Sequence, residues 1–183
     1  DCRVVVTDSN WDYIKQARMS GLETYYGNPM SSHADEYLDL IGIGKVMAMT
    51  PDKHLNVTAG MRFINEFGEQ NVYSLNGNTS GGDKHITAEE HHGKILFSEP
   101  VSYKKLASLI NQGAEIKHTK ISEAFSFEDY QNQYKSALLL PLFIVDARNK
   151  VRIFSTSNQP EITAGSTVVA LVKENESKES AAS

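Results

Sequence analysis

The stretch Lys45-Val46-Met47-Ala48-Met49-Thr50-Pro51-Asp52-Lys53-His54-Leu55-Asn56 reads as a strand handing over to a helix. Lys45–Met49 is the strand. Thr50 offers a capping oxygen, and Pro51 sits at a first helical position, where an N–H has no partner to lose. Asp52 suits the positive end of a helix dipole. The helix is predicted to run to about Phe67, with Gly68 as its stop. Its apolar residues Leu55, Val57, Ala59, Met61, Phe63 and Ile64 surround much of the circumference, which predicts burial on most sides.

The same handover occurs twice upstream. Arg3–Thr7 is a predicted strand whose run Val4-Val5-Val6 suits coverage on both faces, as in parallel sheets. It meets the capping cluster Asp8-Ser9-Asn10, and Trp11, Ile14 and Ala17/Arg18 follow at helical spacing until Gly21. Glu23–Tyr26 is a short strand ending at Gly27-Asn28-Pro29. A helix follows, with Ser32 and Asp35 set as a capping box, Leu38 and Ile41 on its apolar side, and Gly42 and Gly44 at its end. Downstream of the opening stretch, Asn71–Leu75 supplies a fourth strand. Alternating short strands and helices predict a parallel sheet with right-handed crossovers. The strand ends at Asp8, Gly27-Asn28 and Thr50 would then line its carboxyl edge, where open α/β sheets bind ligands.

From Asn76 to Asp83 the composition turns to Asn, Gly, Thr and Ser, the mark of a flexible connection. The predicted organisation is a parallel α/β module over 1–76, a linker over 77–93, an α+β, β-rich part over 94–172 and a disordered tail over 173–183. A short helix is predicted at Ile86–His92, a strand at Lys94–Phe97 and a helix at Pro100–Gly113 with Tyr103, Leu106, Leu109 and Ile110 on one side. Strands follow near Ala114–Ile121, Leu138–Val145, Val151–Ser155 and Thr167–Val172. A short helix is predicted within Phe125–Tyr134 and a hairpin turn at Asp146–Asn149.

Composition narrows the function. At 183 residues the chain is long enough to bury a core without staples. A net charge of −5 argues against a nucleic-acid binder, and Lys104-Lys105 and Lys117 with Lys120 read as a solvated face. The one cysteine, Cys2, excludes an internal disulfide and is expected to be a buried small hydrophobe. The longest apolar run, Ala137–Val145, is far short of the about 20 residues a membrane helix needs. His85, His91 and His92 lie close to Glu89 and Glu90, but their spacing suits a polar surface better than converging metal ligands. No Ser-His-Asp, Cys-His or His-Glu-x-x-His pattern stands out, so no catalytic or metal-binding residue is assigned.

Asp8 has two readings. An acidic residue at a strand end hydrogen-bonds ribose hydroxyls in dinucleotide folds, and the same residue also serves to cap the next helix. Gly27-Asn28 would let backbone approach an adenine ring, or is a plain tight turn. Thr50, Asp52 and Asn56 occupy the next strand end, where Thr50 is equally a cap.

Three segments together resemble the TrkA-N module, the ligand-binding half of domains that regulate potassium conductance and uptake. They are Val4-Val5-Val6-Thr7-Asp8-Ser9-Asn10, Tyr25-Tyr26-Gly27-Asn28-Pro29 and Val46–Asn56, and the resemblance covers roughly residues 3–76. Within that family the pattern looks most like the cytoplasmic tail of bacterial sodium/proton antiporters, and the later Pro141–Asp146, Val151–Phe154 and Ala164–Val169 stretches resemble the C-terminal part of such a tail. The resemblance implies a regulatory domain that binds a nucleotide (AMP, ATP or an NAD-type molecule) at the sheet edge and gates an attached membrane cation/proton antiporter, at the cytoplasmic face of the bacterial inner membrane. Carried over by motif, the binding set is Asp8, Asn10, Gly27, Asn28, Thr50 and Asp52, with Asp8 on the ribose, Asn28 by the adenine and Thr50 lining the cleft.

The family opens on a strand and a Gly-x-Gly-x-x-Gly turn that seats the pyrophosphate. This chain carries no such turn and is expected to be a fragment that starts one βα unit late. A Rossmann-like sheet would then lack its central strand, nucleotide binding would be weakened, and an open edge would favour a homodimer. The alternatives are a fragment of a dinucleotide-dependent oxidoreductase, for which no poised acid-base pair is found, and a dimerisation module without a ligand.

Overall fold

A computed structural model describes residues 2–75, 93–135 and 137–174. It is a mixed α/β structure with parallel sheets and one antiparallel sheet.

The first unit is β1 (Val5–Asp8), α1 (Trp11–Met19) and β2 (Glu23–Tyr26), with β1 and β2 parallel and Asp8 opposite Tyr26. α1 begins where predicted because the Asn10 side chain accepts the N–H of Asp12. Ile14, fully buried, is the residue that fastens this helix. The second helix, α2 (Ser32–Tyr37), differs from expectation at both ends. Its cap is Ser31, whose hydroxyl accepts the N–H of Ala34, and the chain leaves the helix at Leu38. Ile41 is therefore not on a helical face; it is 84% exposed.

β3 (Val46–Ala48), α3 (Lys53–Phe67), a 3-10 turn (Glu69–Asn71) and β4 (Val72–Leu75) form the second unit. α3 is capped by Asp52, which accepts from both His54 and Leu55, so Thr50 and Pro51 lie outside the helix. The helix buries one face only, through Asn56, Ala59, Gly60 and Phe63, while Met61 is half-exposed. The apolar circumference predicted burial on most sides; the helix packs chiefly on β3 and β4, and Ala59, Phe63, Ala48 and Val72 form one small core with Met30 and Leu40 laid against it.

β5 (Lys94–Leu96) lies parallel to β4, giving a three-stranded sheet of order β3-β4-β5. This sheet therefore draws its third strand from beyond the predicted linker 77–93. That linker lies outside the described residues apart from Gly93, as do the predicted helix Ile86–His92, all three of its neighbouring histidines and the tail from 175.

The remainder is α4 (Tyr103–Asn111), β6 (Glu115–Lys120), α5 (Phe127–Gln133), β7 (Leu138–Val145), β8 (Val151–Ile153) and β9 (Thr167–Lys173), with the sheet ordered β6-β9-β7-β8, all antiparallel. α5 starts at a capping box of Ser126 and Asp129. The β7–β8 hairpin turns at Asp146–Asn149 as predicted, with Asn149 in the left-handed region that asparagine tolerates. β9 is buried over five consecutive residues because both faces of this sheet are covered. On one side Leu140, Ile153 and Leu171 join Tyr73, Leu75, Leu96, Val101 and Leu109; on the other Ile144, Val168, Ala170 and Val172 meet Ile121, Tyr130 and Phe154. Ile110, placed on the buried side of α4 by periodicity, is 58% exposed. Cys2 is also exposed and is not the buried small hydrophobe expected of it.

Candidate functional site

The carboxyl ends of β1 and β2 carry four of the six residues singled out above. The Gly27 N–H donates to the Asp8 carbonyl at 2.9 Å, so the turn after β2 is fastened to the end of β1. Asp8 is half-buried, and its Oδ1 accepts the Asn10 N–H at 2.7 Å. Its second carboxylate oxygen has no partner among the described residues. Asn10 is spent on the cap of α1, at 2.9 Å from the Asp12 nitrogen. Asn28 closes the next turn: Oδ1 accepts the Met30 N–H at 2.9 Å, and its carbonyl accepts the Ser31 hydroxyl at 2.8 Å. Gly27 has φ of +138°, and a Cβ there would lie 3.3 Å from the Tyr25 ring, so conformation and space both ask for glycine.

Two aromatic rings stand beside this group. Tyr26 is 52% exposed and Trp11 49% exposed, and they meet edge to face at 5.4 Å. The Arg18 guanidinium sits 5.3 Å from the Trp11 ring and donates to the Thr24 hydroxyl at 2.7 Å, which holds the indole in place. On the other side of β2, Tyr25 is buried and its hydroxyl lies 2.8 Å from His33 Nδ1. His33 in turn stacks on Tyr37. Consecutive tyrosines on a strand point to opposite faces; that alternation was the available signal for Tyr26, while Trp11 was read only as part of an apolar helical face.

Thr50 and Asp52 form a separate group at the carboxyl end of β3. Asn56, 3% exposed, reaches back from the first turn of α3: its Oδ1 accepts the Thr50 N–H at 2.9 Å and the Thr50 hydroxyl at 2.8 Å, and its Nδ2 donates to the Thr50 carbonyl at 2.9 Å. Asp52 is committed to the α3 cap. The structure thus brings Asp8, Asn10, Gly27 and Asn28 together on one parallel pair, and puts Thr50 and Asp52 at the end of the other parallel sheet, both held in local hydrogen bonds.

A cleft of about 430 Å³ lies elsewhere, between α2 and α3, with Ala34 and Phe63 among its lining and Asp35, Glu66 and Arg62 at its polar edge; none of the six residues lines it. No group of three His, Cys, Asp or Glu side chains placed to hold a metal occurs among the described residues, and no helix among them is long and apolar enough to cross a membrane. No protein-family model matches the chain, and no curated protein matches it in sequence.

Proposed function

We propose that the chain is the nucleotide-sensing regulatory part of a membrane monovalent cation/proton antiporter, and that it binds an adenine nucleotide at the carboxyl ends of β1 and β2. The observation that carries the reading is the half-buried Asp8, one carboxylate oxygen uncommitted among the described residues, beside the exposed Trp11–Tyr26 pair and the Gly27 turn. A carboxylate accepts two ribose hydroxyls, and an exposed ring offers a stacking face to a base. Gly27 has no side chain to keep the ligand from the backbone.

The strand orders give the second support. Pairs β2-β1 and β3-β4-β5 are what a doubly wound sheet of order 3-2-1-4-5-6 leaves when its first strand is taken out. On this reading β1 and β3 would flank that strand's place, and Thr50 would face the ligand cleft across it. A nucleotide that binds one conformation of such a domain better than another biases the transporter to which it is attached, by the difference in affinity.

Calorimetric titration with AMP, ATP, NADH and NADPH tests the reading, with a parallel assay for turnover. Binding without turnover is the expected result. Asp8→Asn removes hydrogen bonds to a charged acceptor and is expected to weaken binding about 10- to 100-fold, with an unchanged melting temperature. Heat from none of the four nucleotides, or equal affinity in the variant, would overturn the proposal; turnover would transfer the site to a dinucleotide-dependent oxidoreductase.

A further inference from the structure

We infer that β6 is a self-complementary edge through which two copies of this chain pair, strand to strand and antiparallel. This edge lies in the antiparallel sheet and shares no residue with the proposed nucleotide site. The antiparallel sheet ends on β8, three residues long, at one side and on β6, six residues long, at the other. β6 pairs with β9 alone among the described residues. A short edge is already blunted against association, whereas a six-residue edge presents a usable row of backbone donors and acceptors.

The side chains select the register. Ile116 lies opposite Leu171, on the face that belongs to the larger core, and is nevertheless 59% exposed. Ile110, in the last turn of α4, which packs on that same face through Leu109, is 58% exposed. Glu115 and Lys117 lie on the opposite face, opposite Val172 and Ala170. Two antiparallel edges related by a two-fold axis through the sheet keep matching faces together, so each register centres one residue on its own copy. Centring on Lys117 sets two ammonium groups against each other, and centring on His118 sets Ile116 against Lys120. Centring on Ile116 puts isoleucine against isoleucine and Glu115 against Lys117 of the other copy, twice. Only this register joins an apolar contact to opposite charges directly across the strands. Lys117 is already held in line by Glu174, and its ammonium sits 5.9 Å over the Tyr134 ring.

Sedimentation velocity on the 183-residue chain over a concentration series tests the inference. The parent is expected to show a reversible monomer–dimer equilibrium. I116K is expected to weaken it by about tenfold or more, since each copy contributes the residue at the axis. K117E sets like charges across the strands and weakens the dimer, and E115K/K117E restores it by reversing both signs; both variants lose the Lys117–Glu174 pair equally, so the restoration reports the interface alone. Circular dichroism verifies that each variant is folded. A parent that stays monomeric throughout, a dimer untouched by I116K, or a double variant no better than K117E would overturn the proposal.

Discussion

Asn56→Ala is the substitution with the most to say about how the β3 end is built. Asn56 is buried, and its amide satisfies the backbone N–H and C=O of Thr50 as well as lying 2.8 Å from the Thr50 hydroxyl. The hydroxyl also lies 3.0 Å from the Asp52 carbonyl, so one proton is divided between two acceptors and retains one after the substitution. That leaves two backbone bonds to count. Each is worth about 0.5–1.5 kcal/mol net, and truncating a buried side chain adds a packing loss. Water reaches the half-exposed Thr50 and recovers part of the cost. The sum is about 2–3 kcal/mol, or a fall in melting temperature of about 4–12 °C for a chain of this size. Asn56→Asp keeps an acceptor oxygen but sets a second one against the Thr50 carbonyl and buries a charge at neutral pH, so it should be at least as unstable as alanine. Thermal melts by circular dichroism at neutral pH measure all three proteins. A loss below about 0.5 kcal/mol for the alanine variant, or an aspartate variant as stable as the parent, would refute the account of Asn56 as the clasp of this turn.

Gly93→Ala is expected to cost about 2–4 kcal/mol in urea denaturation, because at φ of +75° a Cβ would lie 2.5 Å from the Val72 carbonyl oxygen. Gly113→Ala is the control, with a similar φ of +86° and nothing within 4 Å of its Cβ, and should cost only about 1 kcal/mol; equal losses would show that the contact with Val72 is not what requires glycine. Asp146→Asn should lower the melting temperature at pH 7. The Lys150 N–H, then the Arg152 side chain, hold the Asp146 carboxyl below its ordinary 3.8. The stabilisation is therefore present above 3.8 and is lost as the pH falls through the lower folded value. The gap between parent and variant should close in melts taken below pH 3.8, and a gap constant with pH would remove the charge from the explanation.

Much of the secondary structure was legible in the sequence because it is written in local chemistry. The handover at Asn10 depends on an oxygen two residues from the N–H group it satisfies, and the Asp146–Asn149 turn on residues that tolerate its backbone, whereas the Ser126–Asp129 capping box emerged only in the structure. Periodicity was less decisive. Met61 and Ile110 satisfy a helical pattern yet face outward, because a pattern marks which residues are apolar without marking how many sides have a neighbour. The α2 cap moved from Ser32 to Ser31, two adjacent serines that composition cannot separate. At the candidate site Asp8, Gly27 and Asn28 were legible as strand-end residues. Trp11 and Tyr26 were not, since their exposure depends on which face of β2 and which side of α1 is covered.

By itself, the sequence determined the alternation of strands and helices, the Asn10 cap and the Asp146–Asn149 turn, all set by interactions spanning a few positions. Only the tertiary structure decided that β5 joins β4 across the intervening segment, that Asn56 folds back on Thr50, and that β9 is buried on both faces. Those outcomes rest on contacts between residues far apart in the chain, where the choice of partner follows from packing and register, and neither is encoded in any single segment.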